Sequence, residues 1–235
     1  MKKLGVYLLL FTLIFTAYIT PISAEGLGEE AEANGQSGAV VQQEQPDFDV
    51  KLSTSSREMI EAIGCSLPKK TDDELVLRGD FIRIMAGLLM LYQEDETKSE
   101  EENLNNAVSQ CVALGIIADA DQVDAQREIT FLEALKIGVE AVGYGFKAEL
   151  EGGWPYGYFA IGNQLKLNKG LQIDMDDTIT YGELYIFLRN LVESDIIYQL
   201  SFGNDAEFYT GKNRSILTEI YKLYEIEGIV DGNEY

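Results

Sequence analysis

The chain has 235 residues, with 40 acidic against 18 basic side chains, no histidine and a formal net charge of -22. A chain this acidic does not bind nucleic acid through its phosphates, and the lack of histidine excludes a His-based triad, a His general base and most zinc sites. The charge speaks instead for a solvated surface and for long-range repulsion of acidic partners.

At the N-terminus Lys2 and Lys3 precede an uncharged apolar stretch from Leu4 to Ile19, and the small residues Ser23 and Ala24 follow. That order is the pattern of a secretory signal peptide over residues 1–24, cleaved after Ala24. The apolar run is short for a membrane span and is followed by an acidic flank, which argues against a retained anchor. Cleavage removes two lysines and no acid, so the mature chain would carry 16 basic and 40 acidic residues and a net charge of -24. Residues 25–46 have almost no large apolar side chain and no periodicity, and read as a disordered acidic linker. Beyond them, apolar residues recur at three- and four-residue spacing over several segments, which predicts one mainly α domain with a sizeable core.

Within this domain the chain repeats itself. "REITFLEALKIGVEAV" (Arg127 to Val142) is echoed by "DTITYGELYIFLRNLV" (Asp177 to Val192). In each copy a Thr is followed three residues later by Glu (Thr130 and Glu133; Thr180 and Glu183), the signature of a capping box at a helix start. Phe131, Leu135, Val139 and Val142 in the first copy, and Leu184, Phe187, Leu188 and Leu191 in the second, form the apolar faces. "VLRGDFIRIMAGLL" (Val76 to Leu89) aligns as a third, upstream copy, with Val76 opposite Ile129 and Ile179 and with Leu77 in place of the capping Thr. Each capped helix is preceded by an apolar helix ending at a glycine: Gly64, Gly115 and Gly170. A glycine there is a C-cap that takes the left-handed conformation. After the last copy "ILTEIYKLYEIEGIV" reads as one more such helix, ending at Gly228. The unit is therefore helix, Gly turn, loop, capped helix, recurring about every fifty residues as in a repeat architecture.

The segments "AVSQCVALGII…REITFLEALKIGVEAVGY" and "GYFAIGNQLKLNKGL…DTITYGELYIFLRNLV" resemble S-layer homology domains, with an apolar helix closing on Leu-Gly-Ile and an Ile-Thr-x-x-Glu element opening the next. The resemblance spans Phe48 to Val192: a degenerate repeat over 47–92, a second over 103–145, a third over 152–194, and a C-terminal half-repeat or start of a further region over 195–235. It implies a three-pronged spindle of helices with pseudo-threefold symmetry. It also implies a non-enzymatic module, secreted and attached noncovalently to an anionic, pyruvylated secondary polysaccharide of a Gram-positive cell wall, with no cofactor, and placement in a surface-layer assembly. The family's sugar-gripping Arg corresponds here to Arg78, Phe131 and Tyr181, so a single cation remains. Trp154, Tyr156 and Tyr158, among glycines, are candidates for stacking on a sugar ring or for packing the turn between repeats. The polysaccharide-binding candidates are thus Arg78, Trp154, Tyr156 and Tyr181. The other reading is a surface spacer whose repeats have lost sugar binding, as Phe131 and Tyr181 suggest.

Other motifs carry less. The tripeptide Arg78 to Asp80 reads as a helix start rather than an adhesion loop. The acidic runs at Asp119, Asp121 and Asp124 and at Asp174, Asp176 and Asp177 lack the Gly and Glu of an EF-hand, and no metal site is expected. Glu133 and Glu183 are accounted for as capping residues and not as a glycosidase pair. Cys65 and Cys111 sit among apolar residues and read as buried thiols, with a disulfide as the other reading.

Overall fold

The computed structural model describes residues 50–119, 123–200 and 207–224. The elements in order are α1 (Val50–Ala62), α2 (Arg78–Leu88), α3 (Glu100–Ala113), α4 (Phe131–Ala141), α5 (Gly145–Leu150), α6 (Tyr156–Gln164), α7 (Tyr181–Glu193), β1 (Asp195–Gln199), β2 (Phe208–Ser215) and α8 (Ile216–Glu219). The fold is mainly α, as the periodicity predicts. The proposed signal peptide and linker, Asp121 and the segment containing Gly228 lie outside the described residues. Among those described, no helix is long and apolar enough to cross a membrane.

Both predicted capping boxes are present. Thr130 and Thr180 each accept the N–H of the third helical residue, and the side chains of Glu133 and Glu183 reach back to the cap's own N–H. Ser99 with Glu102 opens α3 in the same way, and Leu77 leaves α2 without a side-chain cap. Replacing Thr130 or Thr180 by Ala is expected to lower stability by about 1 kcal/mol each. Thermal melts of the two variants that overlay the parent's would contradict this assignment.

The helix ends share one closure, in which the residue after the left-handed position bonds back to the carbonyl five residues earlier. It joins Cys65 to Ile60, Leu91 to Ala86, Ile116 to Cys111, Tyr144 to Val139 and Leu167 to Gly162. Gly64, Gly115 and Gly143 occupy the left-handed position of α1, α3 and α4, at φ +92, +73 and +84°. The sequence misplaces the third of its expected caps. Helix α6 ends at Gln164 with Lys166 (φ 59°) in the left-handed position, and Gly170 belongs to a later turn.

The short segments before α2, α4 and α7 meet in a closed ring of hydrogen bonds. The N–H of Val76 donates to Ile179 O, that of Ile179 to Ile129 O, and that of Ile129 to Val76 O, at 2.9, 3.2 and 2.9 Å. The first helical N–H groups, which a helix cannot satisfy itself, join the same three segments in the opposite sense. Arg78 and Gly79 donate to Arg127 O and Ala125 O, Phe131 and Leu132 to Asp177 O and Met175 O, and Tyr181 and Gly182 to Glu74 O and Asp72 O. Helix packing is cyclic too: α2 lies on α3, α4 on α6, and α7 on α1. Val76, Ile129 and Ile179 are buried, as are Phe81, Phe131 and Phe187, whose rings meet at Phe187.

After α7 the chain departs from the expected helical half-repeat. β1 and β2 form an antiparallel hairpin in which Tyr198 pairs with Tyr209, and β1 docks through the Ile197 N–H on Val142 O. The helix expected from Ile216 onward covers only Ile216–Glu219. Its short helical face is followed by Tyr221, whose hydroxyl donates to Leu88 O at 2.8 Å and ends the segment against α2.

Candidate functional site

Arg78 opens α2, with its backbone N–H fixed on Arg127 O at 2.8 Å. Its side chain is half-buried, and Nε is fully buried without a hydrogen-bond partner. The chain has six arginines. Arg57, Arg83, Arg127, Arg189 and Arg214 each hold a carboxylate within ion-pair distance. Among the described residues Arg78 is the exception, and no carboxylate or carbonyl fills its guanidinium fork.

Its neighbour is the segment leading into α4. Leu77 is bridged to Glu128, and Arg127 pairs with Glu133. Burial pushes the Glu133 carboxyl up, but the Arg127 hydrogen bond, the Thr130 N–H and the charge of Arg78 outweigh it and hold it below the usual carboxylate range. Glu133 is thus spoken for by Arg127, and Arg78 contributes field without contact. The two helix starts present one satisfied ion pair beside one unpaired guanidinium.

The equivalent positions on the other two helices are closed from within. Tyr181 is 1% exposed and its hydroxyl donates to Asp80 Oδ2 at 2.8 Å. Burial and that carboxylate push the phenol far above its ordinary value. Tyr181 therefore has no open ring face for a ligand, and its hydroxyl ties α7 to α2. Phe131 is likewise 1% exposed, packed edge-on against Phe187. It offers no donor to the third-position acid of α7, and the buried Glu183 Oε1 has no hydrogen-bond partner.

The aromatic candidates separate by burial. Trp154 and Tyr156 are 47% and 71% exposed, at the junction of α5 and α6, whereas Tyr158 is buried. Trp154 meets Tyr158 at a centroid distance of 6.1 Å and 63° between planes. The Lys136 ammonium, which sequence reading passed over, lies 5.1 Å from the Trp154 centroid and 5.4 Å from that of Tyr158. Only its spacing on the α4 helix could have pointed to it, because a lone Lys on a helix face carries no motif.

Behind these rings the Tyr158 hydroxyl lies 2.6 Å from Glu140 Oε1 and 3.0 Å from Glu149 Oε1. Burial pushes Glu140 up, and the Tyr158 hydrogen bond and Lys136 oppose it only in part. A carboxyl raised in the folded state binds its proton more tightly there than in the unfolded chain. Its contribution is present below the ordinary carboxylate value of about 4.3 and is lost as pH rises through the raised one. Glu140→Gln keeps an acceptor for Tyr158 and removes the titration. The variant should therefore gain melting temperature relative to the parent between pH 5 and pH 8; an offset that is the same at both values would contradict it.

Cys65 and Cys111 are free and buried, and burial pushes both thiols up to about 11, which leaves them unreactive at neutral pH. Among the described residues no cluster of three or more acidic or thiol side chains is arranged to hold a metal. A scan against models of known protein families and a comparison with curated proteins both return no match to the chain.

Proposed function

We propose that the chain is a secreted, non-enzymatic wall-anchoring module of the S-layer homology type, which binds an anionic secondary cell-wall polysaccharide noncovalently. The observation that carries this reading is Arg78, the one arginine of six left without an ion pair among the described residues, in a chain of net charge -22. Acidic side chains are abundant enough to neutralise every other arginine, and a guanidinium held apart from them offers a planar two-pronged donor face suited to a sugar carboxylate.

The three-pronged spindle belongs to the same proposal. The cyclic ring through Val76, Ile129 and Ile179 and the cyclic packing of α2 on α3, α4 on α6 and α7 on α1 both support it. In a linear solenoid the first and last units would not touch. Here the loop before α2 satisfies the start of α7.

A second reading has its own observation. Phe131 and Tyr181 are buried at two of the three equivalent positions, as expected of a surface spacer or assembly element that has lost sugar binding. Sedimentation separates the two. The chain mixed with purified Gram-positive wall sacculi is expected to pellet with them, and to stay in solution once the secondary polymer has been stripped chemically. Failure to pellet in either case would favour the spacer.

A further inference from the structure

Trp154 is the chain's single tryptophan and stands 47% exposed between α5 and α6. Its orientation is fixed by the edge-on contact with buried Tyr158 and by the Lys136 ammonium, which approaches both rings. Lys136 makes no ion pair among the described residues, and what sets it apart from other such lysines is its place over two aromatic rings. Its natural partner one turn along α4, Glu140, turns onto the Tyr158 hydroxyl instead, as does Glu149 from α5. An ammonium over an aromatic face keeps N–H donors for a further acceptor. The surface therefore offers a half-exposed indole with an ammonium positioned over it that makes no ion pair among the described residues.

These are the two contacts that an acidic sugar needs. The C–H face of a pyranose packs against an indole, and its carboxylate takes a charge-assisted hydrogen bond from an ammonium. A neutral sugar would use the indole and leave Lys136 idle. We propose that Trp154 and Lys136 form a binding site for an acidic sugar, with its ring on the indole and its carboxylate on the Lys136 ammonium. The choice of ligand class rests on the wall-polymer reading, whereas the residues are different from Arg78. Tyr156, 71% exposed two residues on, borders the site.

Because Trp154 is the only indole, its fluorescence in the full chain reports on this site alone. Titration with trigalacturonate is expected to give a saturable change in emission, weakened as salt rises from about 0.05 M to about 0.5 M. Triacetylchitotriose, a neutral trimer, should give a weaker response that does not change with salt. Lys136→Met should weaken the uronate titration at least about tenfold while leaving the circular dichroism unchanged. The proposal is overturned if the neutral trimer gives the same response, if the uronate gives no saturable change by about 10 mM, or if Lys136→Met binds it like the parent. If Lys136→Met fails to fold, the salt series on the parent decides, and an affinity indifferent to salt overturns the role of the ammonium. Arg78→Ala should leave this titration intact. If the parent chain fails to pellet with the wall but keeps the uronate titration, the anchoring reading falls and this site is spared; a parent that pellets but shows no uronate titration removes this site alone.

Discussion

Phe187→Ala is expected to lower the unfolding free energy by about 3–5 kcal/mol, the range for removing a buried phenylalanine ring. The side chain is 1% exposed. Its ring centroid lies 6.1 Å from that of Phe81 on α2 and 6.4 Å from that of Phe131 on α4. It also presses on the backbone of α4 where Gly138 leaves space, since a Cβ there would come within 2.8 Å of the ring. One ring from α7 thus meets both α2 and α4. Deleting it opens a cavity that none of the three can fill by moving alone, because each is tied to the others through Val76, Ile129 and Ile179. Domains of this kind have about 5–15 kcal/mol in total, so the variant should unfold at markedly lower urea with an unchanged slope. A loss below about 1 kcal/mol would mean that the core repacks toward Gly138 and that the three-way contact is not the keystone of the fold.

Much of this architecture was legible because it rests on local chemistry. Thr130 with Glu133 and Thr180 with Glu183 state a helix start within four residues, and Gly64 and Gly115 state a stop. The apolar faces expected of α4 and α7 are all buried. Two kinds of feature were not legible. Where a non-glycine residue takes the left-handed position, as Lys166 and Met90 do, nothing local marks the stop, and α6 was expected to run on to Gly170. The β1–β2 hairpin was missed for a different reason: Ile196 and Ile197 are adjacent, and the register slips between Asp195 and Ile197, so the strand lacks the alternation that identifies one.

The site divides along the same line. Arg78 was found through its place in the repeat, and its unpaired state depends on Glu133 being taken by Arg127 from the same loop. Tyr181 stands in the equivalent place, and sequence does not say whether such a ring faces solvent or core. Its fate was set by Asp80, about a hundred residues away in the chain. Lys136 and Trp154 likewise come together only through the packing of α4 on α6. Pairings of this kind follow from closure of the ring and have no local sequence signature.

Arg78→Ala is expected to abolish most wall sedimentation while leaving the melting temperature nearly unchanged. The overall charge of -22 does not forbid an anionic ligand, since at about 0.15 M salt fields are screened beyond about 8 Å and the local guanidinium dominates in its groove. The stability half of the expectation follows from what Arg78 does not do. Its side chain makes no hydrogen bond among the described residues, and its buried Nε forgoes water without compensation, so truncation loses little and relieves a desolvation penalty. The contact that fixes α2 on the neighbouring loop is made by the backbone N–H of residue 78, which Ala retains. Glu133 keeps Arg127, so no carboxylate is left stranded. Arg78→Lys retains a charge without the fork and should fall between parent and Ala in sedimentation. If Arg78→Ala melts well below the parent, the residue is structural. If it pellets like the parent, the anchoring role assigned to this groove is wrong, and Lys136 with Trp154 becomes the place to look for the polymer.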